Sequence, residues 1–214
     1  MKPARALVFD FNGTLSDDEP VLFAIYSELF AEHGRPLTEA DYYGRLAGNT
    51  EEAIIGGWLG VEGDELQALV EERIDRYVRR ADGSTITLAL REAFRYAAAR
   101  VPVGVVSGAY RREIQPVLEK ADLADRVTVV VTADDVTRGK PDPEGYRLAI
   151  AALGDGIVPQ EVVAFEDTEA GIASARGAGL RCLAVRGTLP DARLAGADGI
   201  VDSIDLDLVR SLVG

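Results

Sequence analysis

Near the start of the chain, four consecutive apolar residues, Ala6 to Phe9, end directly in Asp10. Because the run has no polar alternation, it predicts a strand covered on both faces, as in the centre of a parallel α/β sheet. Ligands of such sheets bind beyond the carboxyl ends of the strands, so Asp10 is a candidate functional residue. The following Asn12-Gly13 allows a tight turn whose free N–H groups face an anion. The same pair is also a hairpin signal, and this segment alone leaves both interpretations open.

Later apolar runs, separated by helical patterns, predict the rest of the sheet. A first strand followed by repeated helix and strand is typical of an α/β protein with a doubly wound parallel, Rossmann-like sheet. Pro116 lies inside the predicted helix 111–121 and is expected to bend or shorten it. The further predicted strands are 103–106, 127–131, 161–165 and 181–185.

The residues between the first two predicted strands carry helical patterns only. Residues 17–20 are typical of a helix start, with acidic residues and a proline in the first turn. A parallel crossover needs only roughly a dozen residues, so this stretch predicts an inserted all-helical cap domain over 17–82. The core would then comprise 1–16 and 83–214. Further predicted helices of the cap are 39–46, 51–59 and 64–80.

The chain of 214 residues has a formal net charge of −13, which argues against nucleic acid or an anionic membrane as a partner. A small phosphorylated metabolite needs only a few local cations and stays compatible with this charge. The single histidine, His33, argues against multi-histidine metal sites and His-based triads. The sequence has neither a signal region nor an apolar run long enough to span a membrane, so we expect a cytoplasmic protein, either a monomer or a homodimer.

Polar groups follow the ends of several predicted strands. The carboxyl ends of parallel strands meet at one edge of the sheet, so groups that are distant in sequence converge there. Alone, Ser107-Gly108 is compatible with a helix N-cap, and Lys140 with a surface position. Glu166 and Asp167 alone are compatible with charges at the start of a helix. Together with Asp10 and Asn12, these groups favour a common site.

Four short motifs occur in this order along the chain: Asp10-Phe11-Asn12-Gly13-Thr14, Val106-Ser107-Gly108, Gly139-Lys140-Pro141-Asp142-Pro143 and Phe165-Glu166-Asp167-Thr168-Glu169-Ala170-Gly171. With these motifs the chain resembles the haloacid dehalogenase superfamily, specifically its phosphatase and β-phosphoglucomutase-like branch. The resemblance covers nearly the whole chain. One such motif would be a weak match, but four in the right order, with a helical cap after the first, are specific.

The resemblance implies a magnesium-dependent hydrolase of small phosphate monoesters. Asp10 would be the nucleophile that attacks the phosphoryl group in line and forms an aspartyl phosphate. Because two anions repel each other, Mg²⁺ would lie between them, held by Asp10, the backbone carbonyl of Asn12 and Asp167. Glu166 would support the ion or its waters from beside Asp167.

The same resemblance implies which residues bind the substrate. Ser107 would donate a hydrogen bond to a phosphoryl oxygen, and Lys140 would neutralise charge and hold Asp10. Trp58 is a candidate for substrate specificity and is also compatible with the core of the cap. The other predicted substrate-binding residues are Gly13, Thr14 and Gly108, with Asn49 and Thr50 in the cap.

Asn12 departs from the family pattern. Phosphatases of the family usually have a second Asp at this position, which protonates the leaving oxygen and then takes a proton from water. An amide cannot cycle a proton, and general acid–base catalysis contributes about 10²- to 10⁴-fold in rate. We therefore expect a competent phosphate and Mg²⁺ site with slow turnover. Three explanations stay open: a laboratory substitution, a preference for good leaving groups such as acyl phosphates, or another proton donor, for which Asp17 and Asp18 are candidates.

Two related activities are disfavoured by residues of the cap. β-Phosphoglucomutases carry a His and a basic cap residue where this chain has Leu22 and Glu51. Phosphonoacetaldehyde hydrolases need a cap lysine, and no lysine lies between Lys2 and Lys120. Two alternatives to a phosphatase stay open: a phosphometabolite-binding regulatory protein, and a metal-free dehalogenase, which the paired acids of the last motif disfavour.

Overall fold

The structure, a computed structural model, describes residues 3–214 and contains a six-stranded parallel sheet. The strands are β1 Ala6–Phe9, β2 Val103–Val106, β3 Val129–Val131, β4 Val162–Glu166, β5 Arg181–Val185 and β6 Gly199–Val201. Their order is β3-β2-β1-β4-β5-β6, so the chain winds first to one side of β1 and then to the other. This order confirms the predicted doubly wound, Rossmann-like α/β fold.

β1 lies at the centre of the sheet and is buried on both faces. It pairs with β2 on one side and with β4 on the other. Leu7 and Phe9 belong to one apolar core, whereas Ala6 and Val8 belong to the core on the opposite face. The rings of Phe9 and Phe165 stack with their centroids 5.0 Å apart. This double burial is the reason why the run lacks polar alternation.

Helices cover both faces of the sheet. The α-helices of residues 3–214 are α1 Glu19–Glu32, α2 Glu39–Asp41, α3 Gly57–Leu59, α4 Gly63–Arg80, α5 Leu88–Ala98, α6 Arg111–Lys120, α7 Glu144–Ala152, α8 Glu169–Gly177, α9 Asp191–Leu194 and α10 Leu206–Val213, of which α5 to α8 and α10 lie on the faces of the sheet. Side chains of α5, α6 and α10 share the core of Leu7, and those of α7 and α8 share the core of Val8. The result is a three-layer arrangement. Across residues 3–214, no helix combines the length and the apolar character needed to cross a lipid bilayer.

Residues 17–82, which we call the helical insert, contain only helical elements. These are α1 to α4 and two π-helical segments, Tyr42–Leu46 and Glu52–Gly56. Aromatic rings pack three of these segments together: Tyr26 of α1 lies 5.8 Å from Tyr42 of the first π-helical segment, and Phe30 of α1 lies 6.1 Å from Trp58 of α3. The helical content agrees with the sequence analysis. That these residues form a separate cap domain stays a prediction.

Local differences from the predicted elements have simple causes. α6 continues through Pro116 to Lys120, so the proline does not shorten it. The missing N–H of Pro116 affects only the carbonyl of Arg112, a residue exposed to water. The last strand, Gly199–Val201, has no counterpart among the predicted strands, because its three half-buried residues are too few for a pattern.

A buried ion-pair cluster joins the helical insert to the core. Arg73 of α4 contacts both Glu51 of the insert and Glu113 of α6, and the side chains of Arg73 and Glu113 are 4% and 1% exposed. The Tyr26 hydroxyl donates a hydrogen bond to Glu51 at 2.9 Å. Burial raises the pKa of Glu113, and the guanidinium of Arg73 opposes this shift. We call Arg73, Glu51 and Glu113 the Arg73 cluster.

We expect Arg73→Leu to lower the free energy of unfolding by about 3–5 kcal/mol, because it leaves Glu113 buried without its cation. Urea unfolding followed by circular dichroism measures this change. Arg79→Leu is the matched control, since it removes an exposed arginine of the same helix and is expected to cost less than about 0.5 kcal/mol. Equal midpoints for Arg73→Leu and the wild type would contradict a stabilising role of the cluster.

Candidate active site

A cavity of about 370 Å³ lies between the helical insert and the carboxyl edge of the sheet. Asp10, Ser107 and Asp167 line it, and they directly follow β1, β2 and β4. Parallel strands therefore bring these three residues to one edge. Lys140, from the loop between β3 and α7, and Asn49, from the helical insert, also line the cavity. The four sequence motifs thus meet at one place, as predicted from the strand ends.

Lys140 links two carboxylates at this edge. Its Nζ lies 2.5 Å from Asp10 Oδ1 and 2.6 Å from Glu166 Oε1. The Tyr146 hydroxyl donates to the same Glu166 oxygen at 2.5 Å. Although burial alone would lower the pKa of Lys140, the charges of Asp10 and Glu166 raise it above its usual value. The lysine therefore stays a cation beside the proposed nucleophile.

Three buried carboxylates, from Asp10, Glu166 and Asp167, converge with oxygens within 4.8 Å of one another. Burial, followed by repulsion from Asp10, raises the pKa of Glu166 to about 7 and that of Asp167 well above its usual range. Within residues 3–214, Glu166 Oε2 has no hydrogen-bond partner. Hard cations such as Mg²⁺ prefer oxygen ligands of this kind. The donor set therefore fits a divalent metal ion.

The carboxylate of Glu166 lies against the first turn of α8. A Cβ atom at Gly171 would overlap the carboxylate of Glu166, so only glycine leaves room for this acid. The Gly171 N–H donates to the hydroxyl of Thr168, the N-cap of α8, at 3.1 Å. The last motif thus supplies both the acids and the space that one of them occupies.

The turn after β1 supports Asp167. Gly13 has a left-handed φ of +73°, and a Cβ atom there would overlap the Asp167 carboxylate. The Thr14 hydroxyl donates to Asp167 Oδ1 at 3.2 Å, and the Thr188 hydroxyl donates to Oδ2. The N–H groups of Gly13 and Thr14 donate to carbonyls of their own turn at 2.8 and 3.3 Å, so these two groups are not free to face an anion. A role of these two residues in substrate binding stays a prediction.

Ser107 and Gly108 line the cavity after β2. The Ser107 Oγ accepts a hydrogen bond from the N–H of Ala109 at 3.1 Å, which leaves its proton for another partner. The N-cap of α6 is Tyr110, so the simple interpretation of Ser107 as the cap of this helix is wrong. The hydroxyl is compatible with a hydrogen bond to a phosphoryl oxygen.

The side chain of Asn12 contacts a buried acid of the helical insert. Its Nδ2 donates to Asp18 Oδ2 at 2.9 Å, and the Tyr77 hydroxyl donates to the same oxygen. Asp18 is fully buried, and its Oδ1 has no hydrogen-bond partner within the part of the chain that the structure describes. Burial raises the pKa of Asp18 to about 7. Of the two acids considered as proton donors, Asp18 thus contacts Asn12, whereas Asp17 is exposed.

The position of Asp18 at the N-cap of α1 agrees with the expected helix start, but its side chain caps no N–H group. It points instead to Asn12 and Tyr77. The available signal was a pair: Asn12, at a position where the motif resemblance implies an acid, and Asp18, an acid six residues later in the chain. Taken separately, Asn12 is explained as part of the tight turn with Gly13, and Asp18 as part of a helix start.

The raised pKa of Asp18 predicts a pH dependence of stability. Its pKa is about 7 in the fold against 3.8 for an unperturbed aspartate, so between these values the folded state holds a proton that the unfolded state releases. The part of the unfolding free energy that comes from protonated Asp18 is fully present below its unfolded pKa of 3.8. This part is lost as the pH rises through its folded pKa of about 7. Between about pH 5 and 8, we expect the unfolding free energy of Asp18→Asn to fall less than that of the wild type in metal-free buffer. Parallel pH profiles of the two proteins would refute this prediction.

The helical insert contributes Asn49 and Thr50 to the cavity. The Asn49 Nδ2 donates to two backbone carbonyls of its own loop at 2.9 and 3.0 Å, which leaves its side-chain oxygen for another partner. Trp58 packs against the core instead, and its ring stacks on Phe30 with centroids 6.1 Å apart. Glu19, which the sequence analysis treated only as part of a helix start, also lines the cavity.

The fold and the site of this chain are those of a family of hydrolases. A family model for haloacid dehalogenase-like hydrolases matches residues 4–179, which is most of the chain. The chain belongs to this family. The resemblance drawn from the four motifs is therefore confirmed at the level of the superfamily.

Comparison with individual proteins gives the same result. The chain is 32% identical over 212 residues to validoxylamine A 7'-phosphate phosphatase of Streptomyces hygroscopicus subsp. limoneus, with 96% of each chain covered. It is 32% identical over 182 residues to a phosphorylated carbohydrates phosphatase of Thermotoga maritima, with 82% of each covered. The crystal structure of CbbY from Rhodobacter sphaeroides in complex with phosphate has the same fold, with a TM-score of 0.82, 24% identity and 96% of each chain covered. The phosphatase relatives agree with the predicted enzyme class, a phosphoric monoester hydrolase.

Proposed function

We propose that this hydrolase removes the phosphate group from small phosphorylated carbohydrates, in a Mg²⁺-dependent reaction that passes through an aspartyl phosphate. The observation that carries the proposal is the arrangement of Asp10 against Lys140, at 2.5 Å, with Glu166 and Asp167 beside them at the floor of a cavity. The substrate class is supported by the names of the two phosphatase relatives.

Asp10 acts as the nucleophile in this proposal. A carboxylate oxygen forms a bond to phosphorus while the bond from phosphorus to the substrate alcohol breaks on the opposite side. Lys140 holds Asp10 Oδ1 and offsets negative charge, and the Ser107 hydroxyl donates to a phosphoryl oxygen. The departing alkoxide takes a proton from solvent. Water then attacks the phosphorus of the aspartyl phosphate and loses a proton to solvent, while the bond between phosphorus and the Asp10 oxygen breaks. Inorganic phosphate is released, and Asp10 is a carboxylate again.

Asp10, Asp167 and the backbone carbonyl of Asn12 would hold Mg²⁺, with Glu166 in support. When bound, the ion neutralises charge where an anionic nucleophile meets an anionic phosphoryl group. The raised pKa values of Glu166 and Asp167, caused first by burial and then by repulsion from Asp10, support this part of the proposal, since a cation would relieve that repulsion.

The proposed reaction is expected to be slow because of Asn12. Its amide donates to Asp18 and transfers no proton to the leaving alcohol. The reaction is then slower by about 10²- to 10⁴-fold than with a general acid at this position. Acyl phosphates, whose leaving group needs no proton, are expected to escape most of this loss.

Phosphate release from a panel of sugar phosphates and from acetyl phosphate, with and without Mg²⁺, tests the proposal. We expect Mg²⁺-dependent release, fastest from acetyl phosphate. Intact-mass measurement after incubation with acetyl phosphate should detect a base-labile phosphoryl adduct on Asp10. No release from any ester, by either the wild type or Asn12→Asp, would contradict the phosphatase function.

A second candidate is a phosphometabolite-binding regulatory protein that has lost turnover. One observation favours it: the amide of Asn12 is held by a buried carboxylate, at the position where the family's phosphatases have an acid. Calorimetry distinguishes the two candidates. Mg²⁺-dependent binding of a sugar phosphate, without phosphate release even from acetyl phosphate, would support the binding protein.

A further inference from the structure

The cations that line the cavity within residues 3–214 are already paired with carboxylates. They are Arg73, Arg138 and Lys140. Lys140 holds Asp10 at the phosphoryl end of the cavity. Arg138 is exposed, and its Nε lies 2.7 Å from Asp142 Oδ2. Of these three cations, only Arg73 belongs to the helical insert, on the other side of the cavity from the carboxyl edge of the sheet.

Arg73 is not free to receive an anion. Its guanidinium contacts Glu51 and Glu113, and its side chain is 4% exposed. The Tyr26 hydroxyl donates to both carboxylate oxygens of Glu51, at 2.9 and 3.1 Å, and so fixes this acid beside Arg73. Two carboxylates around one guanidinium leave the Arg73 cluster with an excess of negative charge. A second phosphate or carboxylate could reach Arg73 only by displacing Glu51.

Glu19 adds a further carboxylate to the same cavity. It is 9% exposed and accepts a hydrogen bond from the Tyr42 hydroxyl at 2.8 Å. Burial, and then repulsion from Asp10 and Asp17, raise its pKa. The rings of Tyr26 and Tyr42 lie 5.8 Å apart and add apolar surface to this part of the cavity. Carboxylate oxygens next to aromatic faces suit the hydroxyl and amino groups of a sugar, which donate hydrogen bonds.

We infer that the cavity selects phosphate monoesters whose alcohol part is uncharged or carries an amine, and that Glu51 is the specificity-determining residue that withholds Arg73 from a second anionic group. This inference rests on the proposed function and narrows its substrate class. The contact that supports this role is that of Glu51 with Arg73, the cation that the helical insert contributes to the cavity.

Four sugar phosphates that differ in charge away from the ester test the inference. They are glucose 6-phosphate, glucosamine 6-phosphate, 6-phosphogluconate and fructose 1,6-bisphosphate. For the wild type, we expect kcat/KM for the first two to exceed that for the last two by about tenfold or more, since a unit charge close to uncompensated carboxylates is repelled. Mg²⁺-dependent affinities measured by calorimetry should follow the same order, even where turnover is slow.

Glu51→Gln keeps an acceptor for Tyr26 and Arg73 but removes one negative charge from the Arg73 cluster. We expect this variant to reduce the preference against the two anionic sugars by about threefold or more. Glu65→Gln, which removes an exposed charge of α4 outside the cavity lining, should leave the preference unchanged.

Equal kcat/KM and equal affinity for all four esters would overturn the inference while leaving the proposed function intact. An unchanged preference in Glu51→Gln would overturn the role of Glu51. Failure of the protein to release phosphate from any of the esters or from acetyl phosphate would count against the proposed function. The order of the affinities for the four sugar phosphates would still show whether the cavity selects against a second anionic group.

Discussion

Asp10→Asn is expected to abolish hydrolysis, with a loss of about 10⁴-fold or more in kcat/KM, because an amide cannot displace an alcohol from phosphorus. The measurement is phosphate release from sugar phosphates and from acetyl phosphate in the presence of Mg²⁺. The variant should also gain no phosphoryl mass from acetyl phosphate, in contrast to the wild type. Both results follow from the position of Asp10 at the end of β1, against Lys140.

The same substitution is expected to keep or raise stability. Asp10 is the charged neighbour that, after burial, most raises the pKa of Glu166 and Asp167, so its removal relieves repulsion among three carboxylates. The unfolding midpoint in metal-free buffer should therefore not fall. Asp125→Asn, at an exposed site, is the control and should change neither activity nor stability. A folded Asp10→Asn variant with more than about 1% of wild-type activity would rule out Asp10 as the nucleophile.

Asn12→Asp is expected to raise kcat for sugar phosphates by about 10²- to 10⁴-fold, because it supplies the missing general acid and base. The gain for acetyl phosphate should be much smaller, since its leaving group needs no proton. The ratio of the gain in kcat for sugar phosphates to the gain for acetyl phosphate therefore distinguishes an effect on proton transfer from a general change in substrate binding. Equal gains on both substrates would contradict the assignment of a missing acid at position 12.

The buried neighbour of Asn12 affects this experiment. The Asn12 amide now donates to Asp18, so a carboxylate in its place would face a second carboxylate and the two would have to share a proton. The double variant Asn12→Asp/Asp18→Asn exchanges the amide and the acid across the same hydrogen bond. We expect it to be at least as active as Asn12→Asp and more stable at neutral pH. A double variant less stable than the single one would show that the Tyr77 hydroxyl needs the carboxylate of Asp18 as its acceptor.

The sheet could be predicted because its central strands are covered on both faces. Continuous apolar runs such as Ala6–Phe9 are typical of strands covered on both faces, and the runs of β1, β2 and β4 are followed by polar residues that line the cavity. β6 could not be predicted, because an edge strand of three half-buried residues leaves no periodic pattern. The positions of Asp10 and Asp167 followed from the strand ends, and Lys140 reaches the same cavity from the loop between β3 and α7.

Side-chain partners across long sequence separations were beyond prediction from the sequence. Arg73 meets Glu113 forty residues later in the chain, and Tyr77 meets Asp18 fifty-nine residues earlier. Neither pair shares a motif or a period. The first pair depends on how the helical insert packs on the core, and the second on how α4 packs against the start of α1 within the insert. For the same reason, Glu19 was taken only for a favourable charge in the first turn of α1, whereas the structure has it at the cavity.

Gly171 carries no functional group, yet it limits how this protein can diverge. Any side chain there would take the volume that the Glu166 carboxylate occupies. A lineage that acquired even alanine at this position would have to shorten the acid in the same step, and the loss of reach would separate that acid from the ammonium of Lys140. Positions 166 and 171 are therefore expected to change together or not at all.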